Sequence, residues 1–139
     1  MTERGNSRGI SRGISRGISR EAEMVNVAVV WGVCSTEPEV RELDSGRRLA
    51  SLSIRVKTGD EPATSVPVTV WEPPAWVETV TAGDELVVIG RIRRRFFQTA
   101  AGGRGAKVEV EAESLARGGD RRRVAAVRKR VERAADALA

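Results

Sequence analysis

Arg91, Arg93, Arg95 and Phe97 fall on every second position of VVIGRIRRRFF, residues 87–97. Successive side chains of an extended strand point to opposite faces, so these four share one side. A row of fixed cations can follow a line of phosphates, and an aromatic ring among them gives an unpaired base something to stack on. Trp71 supplies a second ring. In VPVTVW (66–71) the core set is Val66, Val68 and Val70, which leaves Pro67, Thr69 and Trp71 on the opposite face. The competing reading of the arginines is a solubilising edge, and the two aromatics on their side favour binding.

Other chemistry is poorly provided for. The chain has no histidine and one cysteine, which removes the usual general base, the usual zinc ligands and most nucleophile–base pairs. No enzymatic activity, metal or cofactor is expected. Glu109, Glu111 and Glu113 alternate in AKVEVEAE (106–113) with Val108, Val110 and Ala112, and read as a solvated acidic face turned away from nucleic acid. Cys34 cannot form an internal disulfide and reads as an inert thiol in a loop or the core. The N-terminus has no long apolar stretch with a cleavage site, and no apolar run approaches the ~20 residues that span a bilayer, so a cytoplasmic setting without membrane contact is expected.

The elements that must position these residues are short β-branched runs separated by turn residues. Five strands are expected: VNVAVVWG (25–32), LASLSIRV (49–56) after the DSG turn at Asp44 to Gly46, VPVTVW (66–71), LVVIGRIRRRFF (86–97) and AKVEVEAE (106–113). Ala50, Leu52, Ile54 and Val56 point to the core from the second, with Ser51, Ser53 and Arg55 opposite; Leu86, Val88, Gly90 and Ile92 do so from the fourth. Gly90 suits the sharp coiling of a small barrel. Between the third and fourth strands, EPPAWVETVTAGDE has prolines to start a helix, Gly83 to end it, and Val77 and Val80 three apart. An all-β, five-stranded barrel with one short helix between strands 3 and 4 is the OB-fold, and a C-terminal helix is expected to follow it.

At 139 residues there is room for one modest domain with tails. Residues 1–23 carry an Arg-Gly-Ile-Ser repeat and read as a disordered basic arm, with Met24 as an alternative start of translation. Residues 24–116 are the OB-fold domain, and residues 117–139 a basic amphipathic helical tail in which Asp120 caps a stripe of Val124, Val127, Val131, Ala134 and Leu138. The formal charge of +5 sits in the tails. Residues 24–116 hold eleven Lys or Arg against thirteen Asp or Glu, and 117–139 hold eight against three. Any basic site in the folded part therefore arises from local clustering. The tail helix reads as packed on its own barrel or a neighbouring subunit, with its cations available to phosphates as well.

VNVAVVWGVCSTEPEVRELDSGRRLASLSIRV (25–56) resembles the opening of the bacterial single-stranded DNA-binding protein family in its first-strand Asn, the Gly that ends that strand, the PEVR loop at Pro38 to Arg41 and the alternating second strand. VTVWEPPAWVETVTAGDELVVIGRIRRRFF is similar to the family's third strand, helix, Gly turn and fourth strand. The resemblance implies an OB-fold that assembles as a homotetramer, with a dimer as the alternative, and that coats single-stranded DNA in replication, recombination and repair. By position, Trp71 and Phe97 match base-stacking aromatics, and Arg91, Arg93, Arg95, Ser53 and Arg55 lie on the DNA face; Thr69 shares the face of Trp71. Two departures qualify the likeness. KTGDEPATS (57–65) is short and lacks the aromatics of the family's long hairpin, and GGDRRRVAAVRKRVERAADALA (118–139) replaces the acidic, phenylalanine-tipped tail, so recruitment of partners through such a tail is not expected.

Trp31 and Trp76 read as core or subunit contacts before stacking sites. Arg94 and Phe96 fall on the side opposite Arg91, and the alternation leaves Arg94 without a role. The competing function is an OB-fold assembly module in which DNA contact is secondary.

Overall fold

The longest strands are the two that carry the arginines and the glutamates. In the computed structural model, which describes residues 24–139, β5 (Glu85–Gln98) and β6 (Arg104–Arg117), 14 residues each, form one hairpin. They are joined by β1 (Ala28–Cys34), β2 (Glu39–Glu42), β3 (Arg48–Val56) and β4 (Thr64–Trp71), and followed by helix α1 (Arg121–Asp136). The architecture described is that of the compact unit Val27–Ala135. The basic arm expected over 1–23 lies outside the described residues. Among the described residues no helix is long and apolar enough to cross a membrane.

The strand order is β1-β5-β6-β4-β3-β2, and β1 also pairs with β3 through Val33 with Arg55 and Cys34 with Ile54. Pairing therefore runs in a closed circuit through β1, β5, β6, β4 and β3, with β2 appended outside. All pairs are antiparallel except β4–β6, where Val68 faces Val110 and Thr69 faces Glu111. This mostly β architecture with one C-terminal helix is consistent with an OB-fold. Inside the circuit Leu52, Ile54, Val68, Val70, Leu86, Val88 and Val110 are buried with Val77 and Val80. Cys34 joins them, its thiol donating to the Thr36 carbonyl at 2.9 Å and pushed up in pKa mainly by burial.

Gly90 sits where β5 and β6 shift register, Ile89 facing Ser114 and Gly90 facing Ala112. A Cβ there would overlap the backbone carbonyl of Glu111, so only glycine permits the approach. The shift leaves Glu113 as the extra residue of a bulge. It also explains why alternation stops being readable at residue 113 while the strand runs on to Arg117, placing Leu115 in the core and Ala116 on the other face.

Four expectations are corrected. Residues 39–42, read as part of a loop, form β2, a short edge strand with Val40 facing Ala50; three of its four residues are charged, so it has no apolar alternation to detect. The helix between the third and fourth expected strands is only a 3-10 turn, Ala75–Thr79. Its three residues per turn bring positions three apart onto one side, which is how Val77 and Val80 both reach the core without an α-helix. Ile92 is 53% exposed and Val108 59% exposed, although the alternation assigned both to the core. β5 has no β1 partner past Gly90 and β6 has no β4 partner before Val110, so toward the turn the two strands pair only with each other. On that ribbon Arg94 lies 5.1 Å from the centre of the Phe96 ring, which gives it a place. Trp31 is half-exposed on β1 and not in the core, its indole N–H donating to Glu85 at 2.8 Å. Trp76 does pack against the core, with the Arg117 and Arg123 guanidiniums 5.4 and 5.6 Å from its ring centre.

Asp120 caps α1, accepting from the Arg123 backbone N–H at 3.1 Å. Val127 is buried and Val124 and Val131 half-buried against Val87, Ile89 and Ala116. The helix thus packs on its own sheet, over the stretch of β5 just before the arginines. Leu138, the last member of the expected stripe, lies beyond the helix end and is 75% exposed.

Candidate nucleic-acid interface

Register decides what faces the arginines. Across the β5–β6 hairpin Arg91 pairs with Glu111, Arg93 with Glu109, Arg95 with Lys107 and Phe97 with Gly105. On the other side of β6, Thr69 faces Glu111, and Trp71 follows two residues later on the same face. Because β6 lies between β5 and β4, the acidic face of one strand and the basic face of the other are the same surface.

This corrects the reading of Glu109 and Glu111 as a solvated face apart from the arginines. The Glu111 carboxylate is the hub. Its Oε1 accepts from Arg91 Nε at 2.9 Å and lies 2.7 Å from Arg91 Nη2; its Oε2 accepts from Arg93 Nη1 and from Trp71 Nε1 at 3.1 Å. Burial works against its charge, but the hydrogen bonds from Arg91, Arg93 and Trp71 outweigh it and hold Glu111 below the usual glutamate range. Glu109 lies deeper, its side chain 2% exposed, accepting from the Thr69 hydroxyl at 2.8 Å and standing 3.4 Å from Arg95 Nη2. Glu113, at the bulge, is exposed and pairs with Arg130 of α1 at 2.6 Å.

Of the residues expected to bind, Arg91 and Arg93 are exposed on this face and Arg95 half-buried. Phe97 is half-exposed, its ring lying across Gly105, where any side chain would collide with it. Trp71 is half-buried, and the Arg47 guanidinium stands 4.3 Å above its ring centre. Thr69 is buried with its hydroxyl committed to Glu109, so it supports the face from beneath. Arg55 is exposed on β3 opposite Ser65. Ser53 lines an open groove of about 620 Å³ together with Ser51, Pro67, Glu39 and Lys107.

Two residues were missed. Arg47 lies in the turn before β3, and its stacking on Trp71 follows from the pairing of Leu49 with Trp71, which no local pattern displays. Lys107, on the same side of β6 as Glu109 and Glu111, stands opposite Arg95 and lines the groove. Among the described residues no group of His, Cys, Asp or Glu is arranged to hold a metal ion. The arrangement offers cations and two aromatic rings on one surface, with two carboxylates already engaged by the cations. The model of the Single-strand binding protein family matches residues 25–117. No curated protein matches the chain.

Proposed function

This chain belongs to the single-strand binding protein family, and from that premise we propose that it binds single-stranded DNA without strong sequence preference and coats or protects it in replication, recombination and repair. The observation that carries the reading is the shared face of Arg91, Arg93, Arg95, Phe97 and Trp71, cations for phosphates beside rings for bases. Ser53 of β3 extends the path along the groove, Arg55 stands exposed two residues further on the same face of β3, and Thr69 holds the face from below. The closed circuit of pairings supports an OB-fold barrel as its scaffold.

Helix α1 lengthens the track. Arg122, Lys129 and Arg133 fall on the side opposite Val124, Val127 and Val131, and all three are exposed. Assembly into a homotetramer is supported by the outer face of β1, where Val29, Trp31 and Val33 alternate at 48%, 47% and 39% exposure. That same apolar face, with the partial neutralisation of the arginines, favours the second reading, an assembly module in which DNA contact is secondary. Titration of oligo(dT) against its duplex at two salt concentrations, alongside a light-scattering mass, separates the two. Salt-sensitive preference for the single strand supports the first reading, and an oligomer that binds neither supports the second.

A further inference from the structure

Arg91 holds a single oxygen of Glu111, Oε1, with both Nε and Nη2, the edge of a guanidinium suited to oxyanions. Arg93 and the Trp71 indole N–H converge on the other oxygen of the same carboxylate. A phosphodiester would present two unbridged oxygens to the same donors. The Glu111 side chain is 12% exposed and Arg91 62% exposed, so the carboxylate lies beneath guanidiniums that solvent and ligand still reach.

We propose that Glu111 occupies the place of a backbone phosphate in the free protein, and that single-stranded DNA binds this face by displacing it. The inference rests on the reading of this face as the DNA site. Three consequences follow from the chemistry. The nucleic acid gains hydrogen bonds from Arg91 and Arg93 only as Glu111 loses them, so the net gain per contact is small. The displaced carboxylate stays on β6, close to the incoming phosphates, and repels them. One of the positive charges that would neutralise phosphate is cancelled internally, so salt dependence is shallower than the arginine count suggests. Because the same carboxylate holds Trp71, exchange also frees the indole N–H, coupling the phosphate contact to the stacking ring.

The test is a double-mutant cycle on the full chain, read by anisotropy of labelled oligo(dT) over a range of salt. Glu111→Gln keeps the shape and an acceptor for Trp71, and is expected to raise affinity roughly fivefold to tenfold at low salt and to steepen the slope of log affinity against log salt by about 0.7. In an Arg91→Ala/Arg93→Ala background the part of the gain that comes from freeing these two guanidiniums should vanish, leaving only the smaller part due to repulsion by the carboxylate. Glu111→Val, β-branched and suited to a strand, serves if the Gln variant melts early. Unchanged or weaker binding in the position-111 variants, while loss of Arg91, Arg93 and Arg95 weakens binding, would overturn the proposal and make Glu111 a support that aims the arginines. If loss of all three arginines also leaves binding unchanged, the DNA face itself is misplaced.

Discussion

Arg47 covers Trp71, its guanidinium carbon 4.3 Å from the centre of the indole ring. The ring face on which a base would stack is therefore occupied by a cation in the free protein, and the indole edge is fixed at 3.1 Å by Glu111. A base that stacks there exchanges with Arg47, which is exposed and loses little by moving.

Trp71→Ala is expected to weaken oligo(dT) binding by about 1–3 kcal/mol, the worth of one stacked base, and to leave the salt slope nearly unchanged because no charge is removed. Anisotropy titrations at several salt concentrations measure both quantities. Equal affinity in the variant would remove Trp71 from the path.

Arg95 and Arg91 make ion pairs of unlike consequence. Arg95→Ala takes from Glu109, its side chain 2% exposed, the cation paired with it and leaves only the Thr69 hydrogen bond, and should destabilise the fold by about 3 kcal/mol. Arg91→Ala leaves Glu111 with Arg93 and Trp71, and should cost about 1 kcal/mol or less. Denaturant unfolding of the two variants checks the order, which reverses if Glu109 is the better hydrated carboxylate.

Exchanging Arg122, Lys129 and Arg133 together for Gln should leave the melting temperature in place, since all three are exposed, and should flatten the salt slope by roughly two units if each meets a phosphate. Val127→Ala does the opposite: it opens the contact with Val87, Ile89 and Ala116 and should cost about 2 kcal/mol in unfolding experiments while sparing the slope.

Acid should act through Glu111 and Asp84. Asp84 is held below its ordinary value of 3.8 by the Thr81 backbone N–H and then by Arg117, and Glu111 below 4.5 by the donors already described, against the effect of its burial. A depressed folded-state pKa contributes stability that is present above the unfolded value and is lost as pH falls through the folded one. Stability should therefore be insensitive to these two groups at neutral pH and fall below about pH 4. In Glu111→Gln/Asp84→Asn the acid-dependent part should shrink; an identical acid profile in wild type and variant contradicts the assignment.

Local alternation was enough to place Leu52, Ile54, Val68, Val70, Leu86 and Val88 in the core, and the spacing of Val124, Val127 and Val131 was enough to find α1. It failed where neighbours decide. Ile92 and Val108 alternate correctly but extend past the last partner strand, and Val87 and Ile89 share the side of Arg91 yet lie under α1. The arginine face was legible one strand at a time. That Glu109 and Glu111 face the same arginines depends on β6 lying between β5 and β4, a long-range register that no period-two reading contains.

On the proposed reading, Arg91, Arg93 and Arg95 meet the phosphates of a single strand. The direct measurement is the slope of log affinity for oligo(dT) against log salt, in the wild type and in Arg91→Ala/Arg93→Ala/Arg95→Ala, each confirmed folded. Loss of the three cations should flatten the slope by roughly two units, at about 0.7 per phosphate. A slope equal to that of the wild type would mean that these arginines do not meet the phosphates.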